Sequence, residues 1–355
     1  MEMPVLTLQD YRRLAQERME PPVWDFFEGG AGEEHTLAAN VRAFDRIRLR
    51  PTVLRPAVSP DTTCKILGRT WAAPIGITPM AFHTLAHPEG ELATVRAAAA
   101  RGIPVIIGTF AGRTCEELAA AAAGAPLWLQ VYCFRDRSVT RRLVERAERA
   151  GVEALVLTVD APRLGRRLRD VRNDFRLPPG IVPANLDGGG FSSPAAHARA
   201  ELDPSLDWSA VSWLRSVSSL PILVKGILTA SDALRAVESG VDGIVVSNHG
   251  GRQLDGVPAT LEALPEITAA VRGACPVLID GGVRRGRDVL ACLALGADAA
   301  LVGRPVLHGL AADGEDGVGG VLDILVEELQ DAMTLTGTRS LADILPDLVQ
   351  TRAPW

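Results

Sequence analysis

The stretch APIGITPMAFH, residues 73–83, is a short apolar run that ends in Pro79, Met80 and Ala81, with no glycine cluster behind it. A doubly wound sheet places its phosphate-binding glycines in the turn after the first strand. This first strand lacks them, which argues against that topology. Seven runs of the same kind follow: IPVIIG (103–108), PLWLQVY (126–132), ALVLTVD (154–160), PILVKG (221–226), GIVVSNH (243–249), PVLIDGG (276–282) and AALVGR (299–304). Each is continuously apolar rather than alternating, so both faces of each strand are buried, as in a parallel sheet. Ala-rich helical stretches separate them. Eight such units over about 250 residues match a (β/α)8 TIM barrel.

Upstream, Thr7 is placed to cap a helix over LQDYRRLAQERM, and Pro21-Pro22 ends it. VWDFFEGGAGEEHTLAANVRAFDRI predicts a second and a third helix broken at Gly29-Gly30. The expected organisation is an N-terminal helical extension over residues 1–60 and a barrel over 61–355. The segment between the fourth and fifth strands, about 161–208, is rich in Gly, Pro, Ser and Arg. A connection of that length in a compact domain is usually functional or disordered, and its place after a strand's carboxyl end suits a lid.

Of the 355 residues, 47% are hydrophobic, and the formal net charge is −6. That balance argues against nucleic acid or an anionic membrane as the main partner. The five cysteines are scattered through mostly apolar stretches, which suits buried thiols in a reducing compartment better than disulfides or a metal cluster. No secretion signal or membrane-length apolar run is legible. The expected location is cytoplasmic, and no metal site is expected.

In barrels the chemistry sits at the carboxyl ends of the strands. The ends here present Pro79-Met80-Ala81, Gly108, Gln130 and Tyr132, Thr158 and Asp160, Lys225, Ser247 and His249 with Arg252, Asp280-Gly281-Gly282, and Gly303-Arg304. DGGVRRGRDVL and VGRPVLHG, at the seventh and eighth strands, combine bare backbone, arginines and helix starts, the usual means of holding a phosphate. Lys225 suits a ring that gains negative charge on reduction, and Gln130 with Thr158 suits the polar edge of a flavin. Of six histidines, His249 alone ends a buried strand with an arginine following two glycines later. An imidazole can take a proton near neutral pH. The Arg252 guanidinium can grip a carboxylate through paired hydrogen bonds. Asp160 is placed to orient the ring, Tyr132 to bond a substrate oxygen, and Arg167 to add a second cation. Together these residues point to oxidation of a 2-hydroxy acid.

The motifs AHPEGE, QVY before RDR, LTVDAPRLGRR, PILVKGI, SNHGGRQLDG, DGGVRRGRDV and ALVGRP resemble the FMN-dependent α-hydroxy acid oxidase and dehydrogenase family, from about Asp10 to the end of the barrel. The resemblance implies FMN as cofactor, a small 2-hydroxy acid and O2 as reactants, and a homotetramer. It makes His249 the base, assigns Arg252 and Arg167 to the carboxylate, and assigns Tyr132 to the hydroxyl oxygen. Pro79, Met80, Ala81, Gly108, Gln130, Thr158, Lys225 and Ser247 would surround the isoalloxazine. Asp280, Gly281, Gly282, Val283 and Arg284, with Gly303 and Arg304, would take the ribityl chain and phosphate.

Three positions depart from the common pattern. Trp24 in PVWDFF stands where many members carry a tyrosine that contacts the carboxylate. Gly108 replaces a frequent serine, and Phe110 replaces the tryptophan of glycolate oxidases. With Phe82 and Met80, these positions resemble the bacterial 4-hydroxymandelate oxidases of antibiotic pathways, which implies (S)-4-hydroxymandelate or mandelate as the substrate and the 2-oxo acid, 4-hydroxybenzoylformate, as product, with O2 reduced to hydrogen peroxide. Lactate and glycolate are the alternative substrates, with another electron acceptor as the alternative to oxygen. From another class, an FMN-dependent isomerase of the isopentenyl-diphosphate type shares the barrel, but it needs diphosphate and metal contacts in place of Arg252 and Arg167. A flavin-binding protein without chemistry would have no use for the Tyr132, Asp160, His249 and Arg252 set.

Overall fold

A computed structural model describes residues 4–186 and 193–351. Eight parallel strands close into a barrel: β1 (Ile75–Ile77), β2 (Val105–Ile107), β3 (Leu127–Val131), β4 (Ala154–Thr158), β5 (Ile222–Ile227), β6 (Gly243–Val246), β7 (Val277–Asp280) and β8 (Ala299–Val302). Each neighbours its successor in sequence, and β8 pairs with β1 through Ala300↔Ile75 and Val302↔Ile77. The strands are shorter than the apolar runs that predict them, because the last residues of each run leave the ladder and turn onto the rim. Register sets which side chains share that rim. Thr158 pairs with Lys225, and a bulge between Lys225 and Ile227 re-aims the end of β5.

Helices form in the expected places. α1 (Leu8–Arg18) begins at a capping box in which Thr7 and Asp10 bond each other's backbone N–H. Pro21 then opens α2 (Pro21–Glu28), its fixed φ suited to a first helical position, and α3 (His35–Asp45) follows the glycines. Outside the strands lie α4 (Glu91–Ala99), α5 (Cys115–Ala122) and α6 (Arg137–Ala150). The β4–β5 connection holds α7 (Leu168–Arg172), α8 (Pro194–Glu201) and α9 (Ser209–Val217). The ring is completed by α10 (Ala230–Glu238), α11 (Thr260–Val271), α12 (Gly286–Ala294) and α13 (Arg304–Thr336). Two antiparallel ribbons lie outside the barrel, Cys64–Ile66 with Arg69–Trp71 and Ile47–Leu49 with Val349–Thr351. The barrel is filled from below by the rings of Trp71 and Trp128, whose centroids are 5.5 Å apart, together with Ile106, Val156, Val245 and Leu301. Its open end is the carboxyl rim, and α2 and α3 lie over one side of it. All five cysteines are free thiols. No helix among the described residues is long and apolar enough to cross a membrane.

Candidate active site

A pocket of about 1260 Å³, counting its mouth, opens at the carboxyl rim. At its centre His249 leaves β6 with φ 59°, in the left-handed region that β-carbons disfavour. Ser247 and Asn248 hold that turn: the His249 N–H donates to Ser247 Oγ at 3.0 Å, and the Gly251 N–H donates to Asn248 Oδ1 at 3.1 Å. Gly251 (φ 74°) is needed because a Cβ there would lie 2.6 Å from the backbone of Leu37 at the start of α3. The imidazole is thereby fixed with Nδ1 3.0 Å from Asp160 Oδ1 and Nε2 3.4 Å from the Tyr132 hydroxyl. Burial holds the His249 pKa below its ordinary 6.5, and the opposing pull of Asp160 does not restore it. The ring is therefore neutral at pH 7. With Nδ1–H donated to Asp160, Nε2 is left to accept a proton. Burial, reinforced by Asp160, pushes the Tyr132 phenol up, so it stays protonated.

Two guanidiniums face this centre. Arg252 Nη1 donates to the carbonyls of Phe26 (2.7 Å) and Gly29 (2.7 Å), and its Cζ lies 5.5 Å from the centre of the Phe26 ring. Arg167, from the β4–β5 connection, has its Nε buried with no hydrogen-bond partner. Burial lowers both pKa values, and the charge of Arg167 lowers that of Arg252 further. Two desolvated cations side by side form an anion site that suits a carboxylate.

At the neighbouring strand ends Lys225 Nζ lies 3.1 Å from Asp280 Oδ2 and donates to Ser247 Oγ at 2.8 Å. Thr78 Oγ1 also donates to Asp280 Oδ2, at 2.6 Å, while Asp280 Oδ1 is buried without a partner. Burial alone would raise the Asp280 pKa, but the charge of Lys225 and the hydrogen bonds from Ser247, Thr78 and Lys225 together outweigh it and keep the carboxyl ionised. Gln130 donates to Thr158 Oγ1 at 3.0 Å. Arg304 donates to the carbonyls of Phe27 (3.0 Å) and Gly250 (3.1 Å). Burial brings its pKa down to about 10. Arg284 is half-buried beside it, and desolvation lowers its pKa too.

These residues fit FMN. The orphaned Asp280 Oδ1 and the buried Lys225 line the pocket, where they could meet a ligand's polar atoms. Arg304, at the N-terminus of α13, and Arg284, in the turn before α12, together suit a dianionic phosphate. At Gly108 the backbone lies close to Met80, and a Cβ would stand 2.9 Å from the Met80 carbonyl oxygen, so the wall there is bare main chain.

The sequence-expected residues Pro79, Met80, Ala81, Gly108, Gln130, Thr158 and Lys225 line the pocket, as do Tyr132, Arg167, His249 and Arg252. So do Asp280, Gly281, Gly282, Val283, Arg284, Gly303 and Arg304. Asp160 and Ser247 stand behind it, each bonded to a lining residue. One expectation is corrected. Trp24 does not face the pocket; its ring stacks on His308 at 5.6 Å, and the aromatic against Arg252 is Phe26, two residues on. Sequence reasoning also passes over Thr78, Phe27 and His197, all of which line the pocket. Thr78 was legible as a strand end. His197 lies in the long connection, where no periodicity marks it.

The family described as FMN-dependent dehydrogenase matches residues 15–351. A peroxisomal (S)-2-hydroxyacid oxidase of Arabidopsis thaliana is 47% identical over 352 residues, covering 98% of this chain and 97% of that protein. An L-lactate oxidase of Nostoc sp. is 48% identical over 351 residues, covering 96% of each. Among solved structures, a mandelate oxidase with (S)-4-hydroxymandelic acid superimposes with a TM-score of 0.93 at 46% identity, covering 98% of both chains.

Proposed function

The chain belongs to the FMN-dependent dehydrogenase family, and from that premise we propose that it oxidises an (S)-2-hydroxy acid of the mandelate type to the 2-oxo acid, with dioxygen reduced to hydrogen peroxide. The observation that carries this reading is the fixed His249–Asp160 pair, at 3.0 Å, beside the half-buried Arg167 and Arg252.

FMN, when bound, would supply a two-electron acceptor for the alcohol and a route for those electrons to oxygen. The protein's residues do the rest. Arg252 and Arg167 bind the carboxylate and orient the α-carbon. His249 Nε2 removes a proton from the bound acid, and Asp160 steadies the imidazolium that results. The Tyr132 hydroxyl stays protonated and donates a hydrogen bond to the substrate oxygen as that atom becomes a carbonyl. Lys225 would set a positive charge beside a ring that gains electron density on reduction.

Support for an aryl side chain comes from the pocket wall of Met80, Phe82 and Phe110. Phe110 lies 6.2 Å from Phe82 and 5.7 Å from Tyr132, so the rings form a continuous apolar face. The test is anaerobic mixing of the purified yellow protein with (S)-mandelate, (S)-lactate or glycolate, followed by air. Fast bleaching by mandelate that reverses in air with peroxide formed is the expected result. Bleaching that persists in air identifies a dehydrogenase with another acceptor. Fast bleaching by lactate or glycolate alone overturns the aryl reading.

A further inference from the structure

A second cavity adjoins the active-site pocket on the β4–β5 connection, and the two share Phe26, Leu164, Arg167 and Pro194. Phe26 and Phe175 stack at 4.6 Å in its wall. Arg163, Arg166 and Arg199 also line it, and all three are exposed. The backbone that carries the first two is tied down. Gly165 N–H donates to Gln253 Oε1 at 3.0 Å, Gln253 Nε2 donates to the Arg163 carbonyl at 3.0 Å, and Gly32 N–H donates to the Arg166 carbonyl at 3.0 Å. A Cβ at Gly165 would collide with the Gln253 carbonyl oxygen, so only glycine lets this turn lie so close. The acids of the same lining are engaged elsewhere. Asp160 faces His249 at 3.0 Å, Asp174 pairs with Arg176 at 3.3 Å, and Asp170 is half-buried within the field of Arg167 and Arg252. None of the three exposed guanidiniums is held by a carboxylate among the described residues. In a chain of net charge −6, which repels anions as a whole, these cations form a local surplus at the mouth of the site.

We propose that this outer cavity is the entry site for the anionic acid. Arg163, Arg166 and Arg199 draw the carboxylate in, the Phe26 and Phe175 wall receives the apolar part, and Arg167 passes the anion inward. Arg167 is suited to that step because it lines both cavities and its Nε has no hydrogen-bond partner. The proposal rests on the reading of the substrate as a 2-hydroxy acid, and it holds for an aryl or an alkyl side chain alike. Exposed charges are screened by water and salt, so they act on the rate of encounter more than on the final complex. The three arginines line the outer cavity and not the inner one, so they leave the chemical step untouched.

The experiment follows anaerobic flavin reduction by (S)-mandelate and (S)-lactate in stopped flow. It compares FMN-loaded wild type, the triple variant Arg163→Gln/Arg166→Gln/Arg199→Gln, and Arg18→Gln, which removes an exposed charge from α1, outside both cavities. Visible flavin spectra confirm that each protein holds cofactor. At an ionic strength of about 10 mM the Debye length is about 30 Å. A unit charge about 8 Å from an anion in water is then worth about two-fold, so the triple variant should lose about eight-fold in kred/Kd. Arg166→Glu, which reverses one charge, should lose about four-fold under the same conditions. At about 1 M salt the Debye length is about 3 Å, and wild type and variants should converge. The limiting rate kred should be the same in all of them. Equal kred/Kd in wild type and triple variant at low salt overturns the proposal. So does a deficit that salt does not close, a fall in kred, or a loss in Arg18→Gln as large as that of a single charge in the outer cavity. Bleaching by lactate alone removes the aryl reading and leaves the entry site to be decided with lactate. Bleaching by neither acid removes the 2-hydroxy acid reading and the entry site with it.

Discussion

His249 sits under opposing influences: burial favours its neutral form, and Asp160 favours the charged one. Burial prevails, and the sign of the pH dependence follows. The base must be unprotonated, so kcat/KM should rise with pH through a pKa below 6.5 and then level off. Asp160→Ala removes the influence that raises this pKa, so the acid limb should move to lower pH and the plateau should fall. A limb that shifts upward in that variant would show that Asp160 does not act through the imidazole. His249→Ala should retain its flavin spectrum while substrate-driven bleaching slows by about 10²–10⁴-fold in stopped flow. Undiminished bleaching would take His249 out of the mechanism. The prominence of His249 and Arg252 was legible in the sequence, because a titratable ring and a fixed cation after a buried apolar run have no packing role. The choice between Trp24 and Phe26 was not. Both belong to one short aromatic helix, and its rotation about its own axis is set by what it packs against.

At the scale of elements, the carbonyl end of α2 seats both Arg252 and Arg304. Exposed carbonyls at a helix C-terminus carry partial negative charge, so they hold guanidiniums in place without neutralising them. α3 anchors the His249 turn by a reciprocal amide pair: Asn40 Nδ2 donates to Asn248 Oδ1 at 2.8 Å, and Asn248 Nδ2 donates to Asn40 Oδ1 at 2.7 Å. Both side chains are buried, so Asn40→Ala leaves polar atoms of Asn248 with fewer partners. It should lower unfolding stability by about 1–3 kcal/mol. Denaturant melts of wild type and variant measure this, and equal midpoints and slopes would show that water replaces the pair at no cost. The helices themselves were legible from Thr7, Pro21 and the Gly29-Gly30 break. Their use as a seat for barrel arginines was not, because it depends on which helix end meets the rim.

Across the whole molecule, the N-terminal helices are joined to the last helix by a buried cluster. Glu28 on α2 lies 2.9 Å from His308 Nε2 and 3.9 Å from Arg304, both on α13, and 3.1 Å from Arg12 on α1. Burial pushes the Glu28 carboxyl up, but the His308 hydrogen bond and the two arginines outweigh it and hold it below its ordinary 4.5. A depressed carboxyl stabilises the fold above its unfolded pKa, and that contribution is lost as pH falls toward the folded value. Glu28→Gln should therefore cost about 3 kcal/mol near neutral pH, and the gap from wild type should close as pH drops below 4.5. Thermal melts at several pH values would read this directly. A gap that widens in acid would mean that Glu28 is neutral in the folded protein.

By itself, the sequence determined the barrel and the membership of its rim. Continuously apolar runs are a local consequence of burial on both faces, and each run's last polar residues must emerge at the carboxyl end. Tertiary structure alone decided which α2 aromatic meets Arg252, how Glu28 finds His308, and that His197 lines the pocket. Those contacts join residues far apart in the chain; Arg252 reaches Gly29 across 223 positions. No local period encodes such a meeting, which follows only from how the helices settle on the closed barrel.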